Sequence, residues 1–206
     1  MVAPLRLKAL LTRNAARSML PGPEGGMAET LTREQFRRWS ETEPRRYERL
    51  AGVPVAMSPE RVAHARIKSR VWAALDRAIR AGGLDCEALP DGITVEIDQD
   101  TDFEPDAVVN RGARLSPDAI AATNPVIVVE VLSPATQAID VGDKLAEYFR
   151  VPAIQHYLVV RARRREVIHH RRAGTDLTTQ VITDGPIRLD PPGIVVEVAE
   201  FYPDDT

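Results

Sequence analysis

Apolar residues recur along this chain at two spacings. His64, Ile67, Val71, Ala74, Leu75 and Ala78 form one stripe at helical spacing. Ser58-Pro59-Glu60 offers that helix a cap, a proline for its first turn and an acid. The pattern predicts a helix running to about Ala81 and stopping at Gly82-Gly83. A shorter helix is predicted from Thr32 through Trp39, because Thr32 and Gln35 have the spacing of a capping box. Residues 47–50 and 53–57, joined at Ala51-Gly52, read as a hairpin. Strands are predicted at 85–89 and 93–97, around Pro90-Asp91-Gly92, and at 105–110. A connection over 111–124 follows, with one helical turn near 117–121. Residues 126–132 are apolar at nearly every position, as in a central strand covered on both faces. A helix over about 140–150 comes next, then strands at 154–160, 166–171, 178–183 and 194–198. This order is not the regular alternation of a dinucleotide-binding sheet. It predicts an α/β chain of the mixed, α+β kind.

The 206 residues, 44% of them hydrophobic, suffice for one domain with a real core. Residues 1–26 stand apart. They carry Arg6, Lys8, Arg13 and Arg17 against the single acid Glu24, and they end in Pro21-Gly22-Pro23 and Gly25-Gly26. They read as a flexible extension, or as a start placed too early with Met27 the true one; an organelle-targeting peptide has a similar composition. The domain is expected over 27–206. No apolar run reaches membrane-spanning length. Cys86 is the only cysteine, which excludes an internal disulfide and a cysteine zinc site and fits a cytoplasmic protein. A net charge of -3 means that nucleic-acid binding would need a local basic patch. Arg161, Arg163, Arg164, Arg165, Arg171 and Arg172 put six arginines into twelve residues, with Arg163 to Arg165 expected at a hairpin turn. They suit phosphate contact or a solvated edge.

The candidate chemistry begins at Glu130, which interrupts the apolar run Val126-Ile127-Val128-Val129 and is followed by Val131-Leu132. An unpaired carboxylate there would be costly or would take up a proton, so a cation is expected to meet it. A buried ion pair is the plain structural alternative. Asp106 enters a second short apolar strand, where it is either a site residue or a strand-end cap. Lys144 lies at the edge of the apolar arc Val141, Leu145, Tyr148 and Phe149, beside Tyr148, and can reach inward. Two carboxylates on neighbouring strands with a lysine nearby make a minimal site for Mg²⁺, with Mn²⁺ as a substitute, because Mg²⁺ takes few protein oxygens and keeps its waters. Such a site suits phosphodiester hydrolysis.

The segments Pro105-Asp106, Glu130-Val131-Leu132-Ser133-Pro134-Ala135-Thr136, Asp143-Lys144-Leu145 with Tyr148, Val151-Pro152 and Tyr157-Leu158-Val159 resemble the Uma-type putative restriction endonuclease family of the PD-(D/E)XK nuclease superfamily. The resemblance runs from about Leu31 to Tyr202. It implies a restriction-endonuclease-like core, a mixed sheet flanked by helices, and it assigns Asp106 and Glu130 to the metal. The superfamily lysine expected two residues after the glutamate is Leu132 here, and the resemblance moves it to Lys144. Glu48 occupies a position where the family carries an acid, as a further ligand or a water-orienting group; otherwise it is an exposed hairpin acid.

His64 is open to two readings, a hydrogen-bonded core histidine or a contact to phosphate. Ser133 and Thr136 are expected to order the loop toward Lys144, and no Gly-x-Ser-x-Gly elbow surrounds Ser133. His169 and His170 are adjacent, so a strand would point them to opposite faces, while His156 reads as structural. The resulting expectation is a metal-dependent endonuclease acting on DNA. The alternative is a catalytically weak or inactive nucleic-acid-binding module of the same fold, which Leu132 and the modest net charge favour. Families of this fold often act as dimers, so a homodimer is among the expectations, although no zipper-like stripe marks an interface.

Overall fold

The computed structural model describes residues 30–132 and 140–203. The chain opens with α1 (Arg33–Ser40), whose Thr32/Gln35 capping box forms as the spacing predicts. The hairpin of β1 (Tyr47–Leu50) and β2 (Val53–Ala56) turns through Ala51 and Gly52, both at positive φ (50° and 81°), as a two-residue hairpin loop requires. Helix α2 (Val62–Gly82) buries Ile67, Val71, Ala74, Leu75 and Ile79 and ends on Gly83 in the left-handed conformation. It starts later than the Ser58-Pro59-Glu60 pattern predicts. Arg61 is the extended residue before the first turn, and Glu60 stays outside the helix, where its carboxylate meets His64 and Lys68.

Next come β3 (Cys86–Pro90), β4 (Val95–Glu96), β5 (Asp102–Phe103), β6 (Ala107–Arg111) and β7 (Pro125–Leu132). The strand expected at 93–97 shrinks to two residues because the chain turns back at once. Ile97 N–H bonds the Thr101 carbonyl, and β4 pairs with β5, a strand the sequence does not predict. Asp106 lies just before β6 rather than inside a strand. The expected helical turn near 117–121 is a simple turn at Pro117-Asp118, closed by Ala119 N–H on Ser116 O. Helix α3 (Asp140–Tyr148) leads to β8 (His156–Arg161), β9 (Val167–Ala173), β10 (Asp176–Ile182), β11 (Pro186–Leu189) and β12 (Ile194–Glu197), then one 3₁₀ turn (Val198–Phe201). β11 is the other strand absent from those expected in the sequence.

Six strands form the main sheet in the order β10-β9-β8-β7-β6-β3, mixed because β7 and β8 alone run parallel. A four-stranded sheet (β2-β1-β5-β4) and the β11-β12 pair complete the α+β architecture. All eight residues of β7 are buried. Ile127, Val129 and Val131 face a core shared with α2 and with Ile187, Leu189, Ile194 and Val196 of the β11-β12 pair. Val128 and Leu132 face a second core with Tyr148, Phe103 and Tyr157. Strand alternation therefore places Glu130 on the α3 side of the sheet.

Candidate active site

Antiparallel β6 and β7 pair Ala107 with Val129, so the next step in register sets Asp106 opposite Glu130. The ladder has ended there. The Val131 N–H donates instead to Asp106 Oδ2 at 2.6 Å, so Asp106 does cap the strand end. Its other oxygen, Oδ1, lies 3.0 Å from Lys68 Nζ, and Oδ2 lies 3.6 Å from His64 Nε2, both from the first turns of α2. His64 Nε2 also reaches the Val131 carbonyl, and its Nδ1 lies 3.1 Å from Glu60.

On the α3 side, Lys144 and Tyr148 stand four apart and meet the same atom. Lys144 Nζ donates to Glu130 Oε1 at 3.1 Å and the Tyr148 hydroxyl donates to it at 2.8 Å. The ammonium also bonds Glu48 Oε1 at 2.9 Å and lies 5.1 Å over the Phe103 ring. Glu48 accepts the Glu104 N–H at 2.9 Å as well, so it is not an exposed hairpin acid. Glu48, Arg49, Asp106, Glu130 and Lys144 are all buried. Strand β1 is covered on both faces at Glu48 and Arg49, whereas β2 is half-buried to exposed. Glu48 points to the site, and Arg49 points to Asp102.

The charges are imbalanced at Glu130. Burial pushes its carboxyl up to about 8; Asp106 and Glu48 push the same way, while Lys144 and the Tyr148 hydrogen bond pull back. Burial and the adjacent carboxylates also hold the Tyr148 phenol well above its ordinary range. Burial alone would lower Lys68, but Asp106, Asp91 and Glu60 together hold its ammonium above the usual lysine range.

Of the residues singled out in the sequence, Asp106, Glu130, Lys144, Glu48 and His64 come together at this end of the sheet. Ser133 lies outside the described residues. Lys68 and Phe103 belong to the cluster without being among the sequence candidates, and Tyr148 belongs to it too, although the sequence places it only in the apolar arc and in the family-like segment beside Lys144. Lys68 is four residues after His64 on α2, and Tyr148 is four after Lys144 on α3, so helical spacing from a candidate is the signal for both. His156 and His169 form a separate buried pair (Nδ1 to Nε2, 2.9 Å), each pushed down to about 4 chiefly by burial, and His170 bonds Thr179 on the opposite face.

Among the described residues, no three acids, histidines or cysteines gather at metal-ligand spacing. A hard divalent cation needs fewer, and the donors suit one by their chemistry. All are carboxylate oxygens, and among the described residues no hydrogen bond reaches Glu130 Oε2. Glu130 is, moreover, a carboxyl whose ionisation burial opposes, a condition that a neighbouring dication relieves. Asp106 and Glu130 are thus the residues that could hold a metal, with Glu48 close by through the shared ammonium.

A mixed sheet with helices packed on it and acids at the shared end of two adjoining strands defines a restriction-endonuclease-like protein. The family model Uma2, described as "Putative restriction endonuclease", matches residues 33–199, and the chain belongs to that family. It is also similar to the uncharacterized protein slr1290 of Synechocystis sp., with 29% identity over 148 residues, or 71% of this chain and 77% of that protein. The crystal structure of a putative nuclease belonging to DUF820 from Anabaena variabilis shares the fold, with a TM-score of 0.65 and 16% identity. The match covers 83% of this chain and 97% of the other. No helix among the described residues is long and apolar enough to cross a membrane.

Proposed function

We propose that this protein is a metal-dependent endonuclease that hydrolyses phosphodiester bonds in DNA, with Mg²⁺ as its metal and the cytoplasm as its compartment. The observation that carries the reading is the meeting of Glu130, Glu48 and Lys144 within hydrogen-bond distance, beside Asp106 at the next step of the β6–β7 register. Asp106 and Glu130 would hold the metal, with Glu48 auxiliary. When bound, a divalent ion supplies electrostatic stabilisation for the charge that grows on the phosphate during hydrolysis.

The chain's own groups do the rest. Tyr148 and Lys144 fix Glu130 through Oε1 and leave Oε2 available. Lys144 brings a positive charge to where the phosphate oxygens become more negative, and its two carboxylate partners hold it in place. A water oxygen attacks phosphorus, its proton passes to a carboxylate or to solvent, and the P–O bond to the leaving strand breaks in line. His64, set between Asp106 and the Val131 carbonyl, ties the start of β6 to the end of β7, the two places that carry the acids. The arginines of the β8–β9 turn are suited to backbone phosphates, although Glu166 already engages Arg161 and Arg164. A homodimer, readable by light scattering, remains part of the proposal.

The test supplies Mg²⁺ or Mn²⁺ with plasmid and single-stranded DNA and compares the wild type with Glu130→Ala and Asp106→Ala. The reading expects cleavage that falls at least about a hundredfold in each variant. Undiminished cleavage in both rejects the assignment. One observation favours the second reading, a nucleic-acid-binding module that does not cut: Leu132 is packed into the α3-side core and brings no cation to the position two residues after Glu130. Salt-sensitive DNA binding without metal-dependent cutting is the result that reading expects.

A further inference from the structure

Lys68 is held by three carboxylates at once. Its Nζ lies 3.0 Å from Asp106 Oδ1, 2.9 Å from Glu60 Oε1 and 2.6 Å from Asp91 Oδ2. The three acids differ in surroundings. Asp106 is buried at the strand end, whereas Glu60 is 43% and Asp91 29% exposed at the side chain. The ammonium therefore bridges the buried acid to an outer pair. The outer acids are themselves organised, Glu60 by His64 at 3.1 Å and Asp91 by Arg46 at 2.7 Å. Asp106 keeps its orientation without Lys68, because the Val131 N–H holds its other oxygen at 2.6 Å.

We infer that Lys68 is a positioning residue that acts as a movable counter-charge: it caps Asp106 while no metal is present, and it stays on Glu60 and Asp91 when a divalent cation takes Asp106. The inference rests on reading Asp106 as a metal ligand. A cation approaching Asp106 meets a positive charge 3.0 Å from one of that acid's two oxygens, and like charges so close oppose each other strongly where water is scarce. An ammonium with three donors and three acceptors can give up one bond without being stranded, so competition for Asp106 need not expel the side chain into an unpaired state. Once displaced, the charge remains beside the site, where an incoming phosphate needs it.

Calorimetric titration of Mn²⁺ into the full chain, without DNA, tests this. Lys68→Met is expected to bind Mn²⁺ at least about tenfold more tightly than the wild type, because the competing charge is gone. Glu60→Gln is expected to weaken binding several-fold in the wild type, and to lose most of that effect in the Lys68→Met background. A purely structural lysine predicts equal or weaker binding in Lys68→Met, and that result overturns the inference. If wild-type Mn²⁺ binding is abolished by Asp106→Ala yet is not tightened by Lys68→Met, the inference alone fails. If neither wild type nor Lys68→Met binds Mn²⁺, the metal reading fails with it. Should Lys68→Met not fold, the side-chain ammonium resonance of Lys68 in ¹⁵N-lysine-labelled wild type keeps the question answerable. It is expected to shift in step with added Mg²⁺, and an unmoved signal during saturable binding refutes the displacement.

Discussion

Two buried acids, Asp102 and Glu130, sit in the same small protein and are treated oppositely. Asp102 is locked. Arg33 Nε meets Oδ1 at 2.8 Å and Arg49 meets Oδ2 at 2.7 Å through two of its nitrogens. Arg49 is fully buried and spends its remaining donors on the carbonyls of Leu31 and Gln99. Glu130 receives one lysine, which it shares with Glu48, and one tyrosine, and both approach the same oxygen. The first arrangement satisfies every polar atom with planar, forked donors suited to holding a carboxylate. The second leaves an acid short of compensation among like charges. A structural ion pair is closed, whereas an acid kept for binding stays incomplete until its ligand arrives.

The sharpest way to break this contrast is to remove the arginine. Arg49→Met leaves buried Asp102 with Arg33 alone and takes both arginine contacts from Oδ2, and it is expected to cost about 3–5 kcal/mol of folding stability, read by denaturant unfolding. Lys144→Met leaves Glu130 able to carry a proton and Glu48 still holding the Glu104 N–H, and is expected to cost clearly less. Equal losses in the two variants would erase the distinction.

A second, smaller effect sharpens it through pH. The Glu130 carboxyl binds its proton more tightly in the folded chain, at about 8 against an ordinary 4.5. Its contribution to stability is therefore full below about pH 4.5 and is lost as the pH rises through about 8. Glu130→Gln cannot lose that proton. Its melting temperature in metal-free buffer is expected to draw progressively above the wild type between pH 5 and 8, by an amount worth roughly 1–3 kcal/mol at the upper end. A gap that stays constant across this range would contradict the state assigned to Glu130.

How far the sequence reaches depends on what local pattern can encode. Glu130 is legible because seven apolar neighbours leave a buried strand as its only setting. Lys144 is legible because it borders an arc that must face inward. Glu48 is ambiguous in sequence: a short hairpin ordinarily exposes one face, and only tertiary contacts cover β1 on both, Lys144 of α3 at Glu48 and Asp102 with the Leu31 and Gln99 carbonyls at Arg49. The Arg49–Asp102 lock leaves no local trace, since its partners are 53 residues apart. β4 and β5 are two-residue strands, too short for alternation to register, and β11 alternates over only four residues between the turn formers Asp184-Gly185 and Asp190-Pro191-Pro192. Helix α2 starts late because Glu60 is drawn to Lys68 and His64, contacts that the capping pattern of Ser58 does not contain.

The smallest expected effect lies at the exposed β8–β9 turn. Arg163 sits exposed at the β8–β9 turn, while Glu166 holds its neighbours Arg161 and Arg164. Arg163→Ala is expected to weaken DNA binding alike for all sequences and to lower the slope of log affinity against log salt by about 1. An unchanged slope would leave the turn as a solvated edge.

The central claim concerns oxygen atoms aligned at one end of a buried sheet and the dication they accept. Thermal melting near neutral pH with and without millimolar Mn²⁺ tests it most directly, because a ligand bound only by the native state raises its melting temperature. The wild type is predicted to gain several degrees, and Asp106→Ala and Glu130→Ala to gain none. A shift that survives in both variants, or that is absent from the wild type, would contradict the account.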